Sequence, residues 1–125
     1  MKNLTEKLQQ FTCPARYYRY WKTEIVFTEG VKYLADKTNA YWLIENIVST
    51  VEHHLFDLTK HKCFRFDLKA LDSGSGSLKV TGEDNILIKE VTIEEINFPL
   101  KYITLFVTPG DSPKTRAVLM LSSEY

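Results

Sequence analysis

The hydrophobic period of this chain changes once, and that change decides what it can fold into. Tyr41, Ile44, Ile47, Val48, Val51 and Leu55 recur at helical spacing, with Glu45, Asn46, Ser49 and Glu52 elsewhere on the wheel. From Lys62 the period becomes 2. Phe64, Phe66, Leu68 and Ala70 alternate with Arg65, Asp67 and Lys69, as in a strand with one face on a core and one in water. Helices come first and strands follow, with no βαβ rhythm and no internal repeat. The order predicts an α+β fold: an antiparallel sheet of about five strands with two to three N-terminal helices packed on one face.

Smaller signals fill in the frame. Asn3 and Glu6 have capping-box spacing ahead of Leu4, Leu8 and Phe11, and Pro14 ends that short helix at or before Cys13. Residues 16–22 are aromatic and basic with strand-like composition, and Ile25-Val26-Phe27 reads as a second strand. Thr28-Glu29 looks like a cap and acidic first turn for Val31, Leu34 and Ala35, before a break at Thr38-Asn39. Downstream, residues 78–81 and 86–93 form two strands across a turn at Gly82-Glu83-Asp84-Asn85, with a bulge expected near Lys89-Glu90. Residues 102–107 suit a central strand. Thr108-Pro109-Gly110-Asp111 matches a type II turn, and residues 117–121 return as the last strand.

At 125 residues and 44% hydrophobic content the chain reads as one domain, 1–125, with a real core and no need of disulfide or metal staples. Its 16 basic and 16 acidic side chains cancel, but not evenly along the chain. Residues 1–40 hold seven basic and four acidic groups, and residues 81–125 hold four and seven. Such balance argues against an electrostatic nucleic-acid binder and for complementarity within the fold or between copies. The longest charge-free stretch, 102–110, is about half of what a membrane-spanning helix needs. The charged N-terminus does not resemble an export signal, so a cytoplasmic location is expected, with Cys13 and Cys63 as reduced thiols.

Two constellations could carry chemistry. His53, His54, His61 and Cys63, with Asp57 between them, are metal-ligand types, and a Cys–His pair could serve a small hydrolytic enzyme. Their spacing matches no standard zinc pattern, and His53 and His54 point about 100° apart on a helix, so exposed residues at a helix C-terminus account for them. The run Arg16, Tyr17, Tyr18, Arg19, Tyr20, Trp21, Lys22 interleaves rings with cations as single-strand nucleic-acid binders do. It equally suits an amphipathic strand or a protein contact through Arg16, Tyr18, Arg19 and Trp21. The loop Ser73-Gly74-Ser75-Gly76-Ser77 lacks the ending of a phosphate loop, and Asp84, Glu90, Glu94 and Glu95 form an acidic group with no nucleophile marked out nearby. No cofactor motif is present.

Several blocks give the chain a resemblance. Phe11 with Tyr17-Tyr18-Arg19, Phe27-Thr28-Glu29-Gly30-Val31-Lys32-Tyr33-Leu34-Ala35, Ala40-Tyr41-Trp42-Leu43-Ile44, Phe98-Pro99-Leu100 and Val118-Leu119-Met120-Leu121-Ser122-Ser123-Glu124-Tyr125 are similar to an uncharacterised family of small bacterial proteins, a domain of unknown function. The similarity spans essentially the full length and implies no catalytic residue or cofactor. A non-catalytic protein-interaction or regulatory module, binding a protein partner or itself, is the function these features predict. Metal or hydrolytic chemistry at the histidines, and single-stranded nucleic acid at 16–22, are the alternatives.

Overall fold

The computed structural model describes residues 4–12, 16–21, 23–53, 63–71, 74–82, 86–112 and 115–125. Three helices, α1 (Leu4–Leu8), α2 (Glu29–Thr38) and α3 (Tyr41–His53), accompany seven strands in one sheet. The strands are β1 (Tyr17–Arg19), β2 (Ile25–Thr28), β3 (Phe64–Ala70), β4 (Gly76–Thr81), β5 (Leu87–Ile93), β6 (Tyr102–Ser112) and β7 (Thr115–Leu121). Their order is β1-β2-β7-β6-β3-β4-β5. The α+β class holds, but the sheet has seven strands rather than about five. It is also mixed: β2 runs parallel to β7, while the other neighbours are antiparallel.

Period-2 alternation explains which face is covered. Ile25 and Phe27, Phe64, Phe66 and Leu68, Leu78 and Val80, Leu105 and Val107, and Ala117, Leu119 and Leu121 all join one buried cluster with the helices. Helix α2 adds Val31, Leu34 and Ala35, and α3 adds Leu43, Ile44, Ile47, Val48 and Val51. Tyr41 departs from the expected stripe. Ala40, 1% exposed, takes the core position just before α3, while Tyr41 is 41% exposed and its hydroxyl donates to Asp36. Asp36 also pairs with Lys32 at 2.8 Å, and the Lys32 ammonium lies 5.5 Å from the centre of the Tyr18 ring.

Local capping fixes where the helices begin and end. Thr28 Oγ1 accepts the Val31 amide at 3.3 Å, and Asn39, at φ 54°, turns the chain out of α2 in the left-handed conformation. The same Thr28 hydroxyl donates to Glu124 Oε1 at 2.6 Å, and Oε1 also accepts the Leu121 amide at 2.9 Å. Glu124 belongs to a terminal 3₁₀ turn, Ser122–Glu124, so the end of the chain grips the start of α2. Beside it the Ser123 hydroxyl lies 2.6 Å from the Phe11 carbonyl oxygen and 3.1 Å from that of Leu8. Ring contacts extend the clasp: Phe11 lies 5.3 Å from Tyr33, and Trp42 meets Phe98 edge-on at 6.1 Å.

The expected type II turn at Pro109-Gly110 is instead part of β6, which runs on to Ser112. β3 begins at Phe64, opposite Val107, so among the described residues β6 pairs beyond that point with β7 alone, and a proline interrupts no ladder with β3. Gly110 sits in a register shift where an added Cβ would fall 1.7 Å from the Thr115 carbonyl oxygen. The irregularity in the β4–β5 hairpin lies opposite Val80 and Thr81, where Ile88 is skipped, next to the bulge expected at Lys89-Glu90. Residues 83–85 of its turn lie outside the described residues.

Gly30 tests the clasp. In a free helix, alanine for glycine would stabilise by up to about 1 kcal/mol. Here an added Cβ would stand 2.7 Å from both Glu124 Oε1 and Leu121 Cδ1. Gly30→Ala is therefore expected to cost about 2 kcal/mol in urea unfolding. The cost should shrink in a Glu124→Ala background, because that truncation opens the space; a double-mutant cycle reads the coupling.

Candidate functional site on the uncovered sheet face

The face opposite the helices is lined by the other residue of each alternating pair; Val26 and Asp67 are buried on it, and Val118, Met120 and Phe106 are half-buried. Its register is continuous across strands. Phe106 pairs with Arg65 and Met120, Thr104 with Asp67, Tyr102 with Lys69, and Val118 with both Val26 and Thr108. Across β3–β4–β5, Asp67, Lys79 and Glu90 form one row, and Lys69, Ser77 and Thr92 the next. The face thus divides into an apolar half on β1-β2-β7-β6 and a charged half on β3-β4-β5.

In the apolar half a cleft of about 610 Å³ runs past Tyr17, Val26, Val118 and Met120. Phe106 stacks with Tyr125 at 4.5 Å beside it. In the charged half a second cleft, of about 530 Å³, lies over Arg65, Asp67, Lys69, Lys79 and Tyr102. Asp67 is its anchor. Alternation places it towards water, yet it is 7% exposed. Its Oδ1 accepts from the Thr104 hydroxyl at 2.6 Å and the Tyr102 hydroxyl at 2.7 Å, and its Oδ2 from Arg65 Nε at 2.9 Å. Burial alone would push this carboxyl up, but the Thr104, Tyr102 and Arg65 donors outweigh it and hold it below the ordinary carboxylate range. Such a group is a fixed anion that orients its donors, poorly suited to moving protons at neutral pH.

The described residues of the 16–22 run are divided between the two sides of the sheet. Arg16 is exposed, and its carbonyl accepts the Glu29 amide at 3.1 Å. Tyr18 turns inward and stacks on Phe27 at 5.8 Å. Arg19 turns outward, crossing β2 to reach Thr115 Oγ1 at 3.1 Å while also bonding the Thr23 carbonyl at 3.1 Å. Trp21 sits in the β1–β2 turn at φ 51°, 85% exposed. A base-stacking strip needs these groups on one face, and β1 divides them between two. Tyr20 leans the other way: burial first, then the charges of Glu45 and Glu52, raise its phenol above the ordinary value.

His53 is the last residue of α3, and its side chain, with all of His54, Asp57 and His61, lies outside the described residues, as do Cys13, Lys22 and Asp84. Cys63 is half-buried, its thiol 3.6 Å from the Phe64 carbonyl oxygen. Among the described residues no three His, Cys, Asp or Glu groups are placed to hold a metal ion. Glu90 accepts the Ser77 hydroxyl at 3.1 Å, and Glu94 and Glu95 are exposed beyond β5. Among the described residues no helix is long and apolar enough to cross a membrane.

Sequence reasoning missed Asp67, Lys69, Lys79 and Tyr102 as a group. Asp67 reads as one more solvated residue of an alternating strand. Only the pairing of β3 with β6, 35 residues apart at Tyr102, shows what surrounds it. Asp67→Ala is expected to lose about 2 kcal/mol, since it strands the Thr104 hydroxyl and frees Arg65. The folded carboxyl lies below its unfolded value of about 3.9. Its stabilisation is therefore complete above that pH and is lost as pH falls through the folded value. Urea midpoints followed into acid should fall less steeply for Asp67→Asn than for the parent.

Comparison with known proteins adds one finding. No curated protein and no solved structure matches the chain. The blocks that carry the family resemblance meet in space: Thr28 and Gly30 against Glu124, Phe11 against Tyr33 and Ser123, Trp42 against Phe98. With a family model matching residues 2–125, the chain belongs to the family of unknown function DUF6876.

Proposed function

We propose that the chain works as a non-catalytic interaction module, a single α+β unit that binds a protein partner or a second copy of itself through the uncovered face of its sheet. The observation that carries this reading is the apolar half of that face. Val118 and Met120 occupy outward positions of β7, next to Phe106 and Val26, where alternation calls for polar residues. Tyr17, 54% exposed, and Tyr125, 66% exposed, flank them. Aromatic rings and methionine are the side chains that interfaces favour over ordinary surface. The excess of acidic groups in residues 81–125 and of basic groups in residues 1–40 adds complementary charge for a head-to-tail contact between copies.

The test targets outward residues that the core does not use. Tyr17→Ser with Met120→Glu is expected to keep the unfolding midpoint within a few degrees. It should also weaken association at least tenfold, about 1.4 kcal/mol. Size-exclusion chromatography with light scattering over a concentration series reads self-association. Pull-down from a bacterial lysate, with the variant alongside, reads a partner. A strict monomer that retains nothing, or equal retention by the variant, overturns the reading.

A further inference from the structure

The charged half of the same face has a chemistry of its own. Its cleft holds three cations, Arg65, Lys69 and Lys79, and two carboxylates, Asp67 and Glu90. Both carboxylates are occupied from within: Asp67 by Arg65, Tyr102 and Thr104, and Glu90 by Ser77. Lys69 and Lys79 are exposed, and neither ammonium group makes an ion pair or hydrogen bond among the described residues. Lys79 stands in register between Asp67 and Glu90, and Lys69 between Tyr102 and Ser77. Two ammonium groups thus share one cleft with a guanidinium and a phenol whose directions the buried Asp67 sets.

Burying a carboxylate on the solvent side of a sheet is costly, and apolar or hydroxyl side chains would hold the strands together as well. What the carboxylate adds is orientation. It fixes Arg65 Nε and the Tyr102 hydroxyl against the sheet, and the Arg65 side chain remains 47% exposed. A volume of about 530 Å³ lies in the range of small-molecule sites and is larger than a single ion needs. Three cations match the charge and three oxygens of a phosphate monoester better than the single charge of a carboxylate.

We propose that this cleft is a phosphate-monoester site in which Lys69 and Lys79 contact the anion and Asp67 is a positioning residue that holds Arg65 beside them. The proposal rests on the reading of the uncovered face as the binding surface. The phosphate comes either from a free metabolite or from a phosphorylated side chain of the partner. Glu90, a neighbour of Lys79 in the same row, opposes the anion. Its neutralisation therefore strengthens binding, an effect that a merely structural role would not produce.

Titration of isotope-labelled protein by NMR with inorganic phosphate, adenosine monophosphate, a phosphoserine peptide and succinate tests the assignment. Saturable shifts confined to β3, β4 and β5 are expected with the phosphates, weakening as salt is raised. Lys69→Gln with Lys79→Gln should weaken binding at least tenfold, and Glu90→Gln should tighten it several-fold. Tighter binding of adenosine monophosphate assigns a free metabolite, and tighter binding of the phosphoserine peptide assigns a partner side chain. No saturable shift, succinate binding as well as the phosphates, or unchanged binding in the lysine double variant overturns the proposal. Because Tyr17 and Met120 lie in the other half, their variant leaves phosphate binding intact, and the two readings fail separately.

Discussion

The pairing of β2 with β7, closed by Glu124 on Thr28, is the constraint on which the rest of the molecule depends. Parallel neighbours need a crossover, and here it is most of the chain, from α2 through β6. The sheet therefore cannot be completed until both ends have met, which places this contact among the least local in the fold. Thr28 serves both sides of the junction, capping α2 with its acceptor lone pair and holding Glu124 with its proton. Glu124 leaves Oε2 buried without a partner among the described residues, at the end of α2 where the helix dipole is positive. Gly30 makes the approach possible, and Ser123 fastens the loop after α1. The position of the helices over the sheet is set from the C-terminus.

The two sheet faces consequently answer to different demands. On the covered face every inward strand residue from Ile25 to Leu121 has helices or other strands to pack against, and burial of apolar area accounts for its composition. On the uncovered face burial explains little. Asp67 pays a desolvation cost that its three donors offset, and the outward apolar residues of β7 stay partly in water. Stability alone would have placed threonine or lysine at those positions. Their presence on this face is what a binding role would account for.

What was legible in the sequence was local. The cap at Thr28, the break at Thr38-Asn39, the stripe of α3 from Ile44 to Val51 and the alternation of β3 are read within one turn or one strand, and the structure keeps them. The strand count fell short, and the sheet was taken as antiparallel, because nothing near Ile25 tells that Ala117 will lie beside it. Pro109-Gly110 has the composition of a turn, but β6 has passed the start of β3 where the proline stands, and the crowding at Thr115 demands the glycine. The site was the least legible part. Reactive residue types drew attention to His53, His54, His61 and Cys63 and to the 16–22 run, whereas the cleft is built from ordinary lysines, a tyrosine and an aspartate. Only cross-strand register gives these residues a common place.

The family resemblance sharpens the division between the faces. Most of its residues are consumed by the core or the clasp: Phe27, Val31, Leu34 and Leu43 in the former, Thr28, Gly30 and Glu124 in the latter. A remainder is left over. Tyr17, Arg19, Val118, Met120 and Tyr125 belong to the same blocks yet point away from the core, and all stand on or beside the apolar half of the uncovered face. Core packing does not account for these side chains, which is the same ground on which the outward face is proposed as a contact surface.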